Sequence, residues 1–202
     1  MPDCRIRRRG EVLLEAVYAA TLAEVAAKGL RGASMDRIAQ RAGTGKAALY
    51  RRWPNVRALA LDVFITTMQQ ALPAARPDTG SLRGDILASL HTLADELGSD
   101  LGIVLRELIS EAAHDPTLSQ EFQVRFGAAK EAEVVLMLEQ AMHRGDIPRQ
   151  ALDPYVLQLP AALVVHQLLL TGTPPTRAQL EHIVDTIMLP LLRHPSGAPI
   201  PA

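Results

Sequence analysis

Apolar residues recur along the chain at spacings of three and four, the period of an amphipathic helix, and alternating strand-like runs are missing. Leu14, Val17, Tyr18, Thr21 and Val25 form the first stripe and predict a helix from about Arg9 to Lys28. Gly29 follows it, in the place where glycine closes a helix in a left-handed conformation and Lys28 faces the negative end. A second, short helix opens at "SMDRIAQRAG". Ser34 supplies its N-cap, Asp36 sits in the first turn where the helix dipole favours an anion, and Gly43 stops it. Met35, Ile38 and Ala39 face inward. "GKAALYRRW" starts a third helix that must end before Pro54. Asn55 caps a fourth, "VRALALDVFITTMQQAL", which ends near Pro73.

Beyond the Pro- and Gly-rich loop 73–80 the pattern predicts four or five longer helices. Two of them open on Asp115–Pro116 and Asp153–Pro154, each a capping carboxylate followed by proline at the first helical position. The last begins at Thr176 with Gln179 three residues on, a capping box, and carries Leu180, Ile183, Val184, Ile187 and Leu191 as its stripe. The final "HPSGAPIPA" has the composition of a disordered tail. The fold class expected is all-α. Residues 1–54 read as a three-helix head with a basic arm, and 55–195 as a larger helical body. Within the body 55–72 form the connecting helix, and 196–202 form the tail.

Composition sharpens this outline in three places. Aromatics make up 3% of the 202 residues and hydrophobic residues 48%, mostly helix-forming Leu and Ala, which agrees with helices alone. The single cysteine, Cys4, excludes an intrachain disulfide and reads as an exposed thiol near a chain end. The net charge of −1 is unevenly spread. Residues 1–57 hold 12 Lys or Arg against 5 Asp or Glu, and the rest hold 9 against 17, so a head of +7 precedes a body of −8. A head of that sign meets a polyanion while the body stays clear of it. The most apolar stretch, "LPAALVVHQLLLTG", is interrupted by Pro160, His166 and Gln167 and is shorter than the ~20 residues of a membrane span. With no secretory pattern at the start, the expected location is cytoplasmic, without a membrane partner.

"AGTGKAALYRRW", from Ala42, admits two chemistries. As a phosphate-binding loop it fails on spacing, because the required first glycine falls at Gln40 and the magnesium-binding hydroxyl at Ala47. As the turn of a helix-turn-helix it passes. Ala39 lets two short helices approach, Gly43 takes the turn, and Leu49 packs inward. Thr44, Lys46, Ala47, Tyr50 and Arg51 are left on or near the face that enters a major groove. Trp53 reads as a core plug, and the basic run at 5–9 either as a flexible arm reaching phosphate or minor groove or as an unstructured solubilising tail.

"RGASMDRIAQRAGTGKAALYRRWPNVRALA" resembles the amino-terminal domain of TetR-type transcriptional regulators, over roughly residues 10–65. The layout of "RGDIP", "DPYVLQLPAALVVHQLLLTGTPPT" and the last amphipathic helix resembles, more loosely, the ligand-binding domains of actinobacterial members. The resemblance implies DNA contacts from Ser34, Met35, Thr44, Gly45, Lys46, Ala47, Tyr50, Arg51 and Arg52. Gly45 and Ala48 replace hydroxyl-bearing positions of the family pattern, with Thr44 able to supply one hydroxyl instead. Ala47 replaces its glycine, and Val56 replaces its phosphate-binding lysine, for which Arg57 stands in one place along.

The resemblance also implies a homodimer through Leu163, Val164, Gln167, Ile183 and Ile187, and an effector pocket near Leu87, Leu90, His91, Leu108, Phe122, Phe126 and His166. For either histidine a satisfied core position is the simpler reading. The six histidines show no HxxxH spacing, so no metal and no cofactor are expected. The resulting expectation is a sequence-specific regulator, a repressor released from a palindromic operator by a small, largely apolar effector. A non-specific architectural DNA protein and a small helical enzyme are the alternatives.

Overall fold

The computed structural model describes residues 3–71, 77–148 and 153–193, without the side chains of 3–9, 128 and 129. The expected tail at 196–202, and the side chains of Cys4 and of the basic run at 5–9, lie outside the described residues. Among those described there are helices and no strand. They run α1 Asp3–Gly32, α2 Met35–Arg41, α3 Lys46–Tyr50, α4 Val56–Ala71, α5 Leu82–Leu97, α6 Asp100–Ala112, α7 Pro116–Phe122, α8 Ala128–Arg144, α9 Pro154–Thr171, α10 Arg177–Ile183 and α11 Leu189–Arg193. Single π-helical turns, Gln123–Gly127 and Val184–Met188, join α7 to α8 and α10 to α11.

The capping chemistry read from the sequence is in place. The Ser34 side chain accepts from the Asp36 N–H, and Asp153 accepts from the Tyr155 N–H at 2.7 Å. Asp115 accepts from the N–H groups of Thr117 and Leu118 at the start of α7. Both halves of the Thr176–Gln179 capping box are present. Helix α1 starts earlier than expected, at Asp3, and breaks at Gly29 with φ +68°, a conformation that suits glycine.

The helices form two compact units. In the first, Met1–Met68 join Ser99–Phe122, so α6 and α7 belong with α1 to α4. Its head core is Val17, Ala20, Met35, Ile38, Ala39, Leu49, Trp53, Leu59 and Val63, with Leu14, Tyr18 and Val56 packed against it. Asp62 fastens this core from α4: one of its oxygens accepts from the Tyr18 hydroxyl and from the Trp53 indole N–H, both at 2.9 Å. Helix α6 packs along α1. Two of its carboxylates grip the head: Glu107 accepts from the Leu30 N–H at 2.7 Å, and Glu111 pairs with Arg31. Four apart, they share one helix face. Asp115, beyond the end of α6 at the cap of α7, pairs with Arg57.

In the second unit, Gln69–Gly98 with Gln123–Ala202, α5 packs against α8, α9 and α10. Asp85 is fully buried there, bonded by Thr79 through backbone and side chain and by Arg144, which also reaches Asp146 and Asp78. Burial opposes the charged form of Asp85, yet the Thr79 and Arg144 hydrogen bonds outweigh it and hold the carboxyl below its ordinary value.

Candidate DNA-binding surface

Backbone geometry makes the turn. Gly43 has φ +66°, which a side chain would resist, and it lets the Thr44 N–H bond back to the Ala39 carbonyl at 3.0 Å. Gly45 then caps α3 in an extended conformation without a side-chain bond. Leu49 is the residue of α3 that enters the core. The others are left outside: Gly45, Lys46, Ala47, Tyr50, Arg51 and Arg52 are exposed, and Ser34 and Thr44 half-exposed. The expected set therefore shares one edge of the head.

Two expected members stand differently. The Met35 side chain is only 4% exposed and is part of the core, because the first turn of α2 that presents Ser34 outward points the next residue inward. Met35 is corrected to a packing role. Arg57 is half-buried and committed to Asp115 in this conformation. The partner lies 58 positions away, out of reach of any local pattern.

Charge on this edge is organised by pairs. The Lys46 ammonium lies 2.7 and 2.8 Å from the two Asp36 oxygens and 5.9 Å from the centre of the Tyr50 ring. The hydrogen bond to Asp36, and then its charge, raise the Lys46 pKa above the ordinary lysine value. The Arg52 guanidinium stacks 4.8 Å over the Trp53 ring, holding the indole face dry while its N–H bonds to Asp62. On the flank of α2, Arg37 and Arg41 reach the buried carboxylate of Glu24 from α1. Asp36, Arg37 and Arg41 were absent from the sequence-derived set. Their signal was the basic-acidic spacing of "MDRIAQR", read there only as capping.

The pocket and interface candidates separate. On α5, Leu87 and Leu90 are buried and His91 half-buried. The His91 Nε2 is buried, and no group among the described residues hydrogen-bonds it. Phe126 lies half-buried in the π-helical turn of the same unit. Leu108 and Phe122 belong to the first unit, where Phe122 stacks on Phe64 with ring centres 5.6 Å apart. His166 is corrected to an exposed position on α9. Val164, expected at a dimer interface, is fully buried inside its own unit, whereas Leu163, Gln167, Ile183 and Ile187 are half-exposed.

A glycine-turned pair of short helices on a closed core, with a cationic outer edge, defines a helix-turn-helix protein of the kind that reads duplex DNA. Residues 17–63 match the model of bacterial regulatory proteins of the tetR family, and residues 76–187 that of the tetracyclin repressor-like C-terminal domain. The uncharacterised HTH-type transcriptional regulator YdeS of Bacillus subtilis (strain 168) is 34% identical over 85% of this chain and 86% of its own. The crystal structure of the TetR family transcription regulator SCO0332 superposes with a TM-score of 0.69 at 27% identity, over 87% of this chain and 96% of that one. The transcriptional regulator FadR from Bacillus subtilis, solved with stearoyl-CoA, shares the fold with a TM-score of 0.68 at 18% identity, over 91% and 98%. The chain belongs to the TetR family and is a DNA-binding transcriptional regulator.

Proposed function

We propose that this regulator is a cytoplasmic homodimeric repressor. Its contact set is Ser34, Thr44, Gly45, Lys46, Ala47, Tyr50, Arg51 and Arg52, and each copy seats α3 in a major groove of a palindromic operator. Arg57 joins the set when Asp115 releases it. The observation that carries this reading is the exposed edge of α3 over a core that Leu49 and Trp53 close from within. Ala47 suits a thymine methyl, Tyr50 and Lys46 suit phosphate oxygens, and Arg51 suits phosphate or guanine.

Dimerisation supplies the second half-site that one short recognition helix cannot. The face supporting it is the apolar outer side of α9 and the last helices. Leu169, Leu170 and Leu191 are exposed there, and Leu163, Ile183 and Ile187 half-exposed. Helix α9 is long and apolar enough to cross a membrane by length and composition alone. A partner copy accounts for its exposed side without lipid.

The effector is proposed to be small and largely apolar, taken up in the body near Leu87, Leu90, His91 and Phe126. The FadR structure with stearoyl-CoA shows that a fold of this kind holds an apolar chain in that protein. A ligand preferred by the conformation with mis-spaced recognition helices would draw the population off DNA. Helix α6 and the turn after it are the natural carriers of that change, since they lie within the C-terminal family match yet grip the head through Glu107, Glu111 and Asp115.

Selection of bound duplexes from random-sequence DNA by the full-length protein tests the reading. A palindromic consensus is expected. Recovery of sequences without any consensus removes it.

A further inference from the structure

The DNA-facing edge carries one feature that works against its purpose. Asp36 is 60% exposed and sits beside Lys46, itself 57% exposed, in a pair that joins α2 to α3. Structural need explains only part of it: Asp36 favours the positive end of α2, a modest effect at an exposed site. Exposed pairs contribute little to stability, and Ser34 already caps α2. Against a polyanion, however, such a carboxylate matters twice. It lies within a Debye length, ~10 Å at 0.1 M salt, of any phosphate that Lys46 could touch. It also neutralises Lys46 beforehand, so a loosely docked duplex gains no counterion release from that lysine.

We infer that Asp36 is a specificity-determining residue: it keeps Lys46 out of non-specific DNA contacts and yields it only to a correctly placed operator phosphate. The inference rests on the DNA-facing reading of this edge. In a loose encounter the Asp36–Lys46 pair stays closed and Lys46 adds nothing to binding. When the operator seats α3, a phosphate comes within reach of the ammonium and replaces the carboxylate, while base contacts offset the exchange. Electrostatics supplies essentially all of non-specific affinity and only a share of specific affinity. Masking one cation therefore widens the ratio between the two.

The test is a fluorescence-anisotropy titration of the full-length protein against a duplex it has selected and a random-sequence duplex, over a range of KCl. Asp36→Asn should bind random DNA about threefold more tightly, and its plot of log affinity against log salt should steepen by about 0.9, the value of one added phosphate contact. On the selected duplex its slope should match that of the wild type, because Lys46 already contributes there. Thermal melts confirm that the variant is folded. An Asp36→Asn variant whose random-DNA slope is unchanged or shallower overturns the inference. Lys46→Gln separates the two levels of the argument. Its slope on the selected duplex should fall by about 0.9, and an unchanged slope would overturn the DNA-facing reading of this edge along with the role of Asp36.

Discussion

Asp62 receives two hydrogen bonds on one oxygen, from Tyr18 on α1 and from Trp53 after α3, and so ties the three layers of the head together. Burial raises the Tyr18 pKa, which keeps its hydroxyl a donor to that oxygen at any ordinary pH. Asp62→Ala strands the Trp53 N–H in a partly buried place and leaves the Tyr18 hydroxyl only Thr66, at 3.4 Å. It should cost about 2 kcal/mol, read as a lower melting temperature, with DNA affinity falling only as the folded fraction falls. By contrast, Tyr50→Phe should leave the melting temperature unchanged and weaken binding to all duplexes alike, since the ring is exposed and its hydroxyl is the group assigned to phosphate. Residues such as Leu49, Trp53 and Gly43 were legible in the sequence because their roles follow from local spacing. Arg57 and Asp62 were not, because their partners come from distant positions, and Met35 was read both ways: helical spacing turned it inward, as found, while the resemblance put it on DNA.

At the level of elements, the break in α1 is set by two neighbours. Gly29 holds φ +68°, and a Cβ there would stand 3.1 Å from the Glu107 oxygen that receives the Leu30 N–H. Gly29→Ala should therefore cost about 1–2 kcal/mol of stability, measurable by chemical denaturation, and loosen the Glu107 contact. The glycine was legible; the carboxylate that fills the space beside it was not. Periodicity also missed the π-helical turns. Leu180, Val184, Met188 and Leu192 are buried at steps of four, with Ile183, Ile187 and Leu191 beside them on the outer side. A wider turn keeps both rows aligned, where an α-helical wheel merges them into one stripe. The outer row is the one assigned to a partner copy.

For the molecule as a whole, assembly and acid response can be measured. Leu170 is 73% exposed on the apolar side of α9, so Leu170→Asp should convert a dimer to a monomer in light scattering and abolish tight operator binding. An unchanged mass would remove this face from the interface. The Asp85 network fixes the sign of a pH effect. Its carboxyl is held below the ordinary value in the folded protein, so its stabilisation is complete above about pH 4 and is lost as the pH falls through the lowered value. Asp85→Asn should flatten that part of the acid-unfolding curve and lower stability at neutral pH by about 1–2 kcal/mol, because the Thr79 and Arg144 donors lose a charged acceptor while Arg144 keeps Asp146 and Asp78. Fold class and family were legible at this scale, because helical period and one motif determine them. The grouping of Ser99–Phe122 with the head was not, since nothing local in α6 announces what its carboxylates hold.

That grouping bears on how such proteins can be recombined. A graft cut at the familiar motif border near residue 63 would carry Leu30, Arg31 and Arg57 into a host without Glu107, Glu111 and Asp115 to receive them. A transplanted head should keep its grip only when the segment 99–122 travels with it, making the exchangeable part of this protein two pieces of chain rather than one.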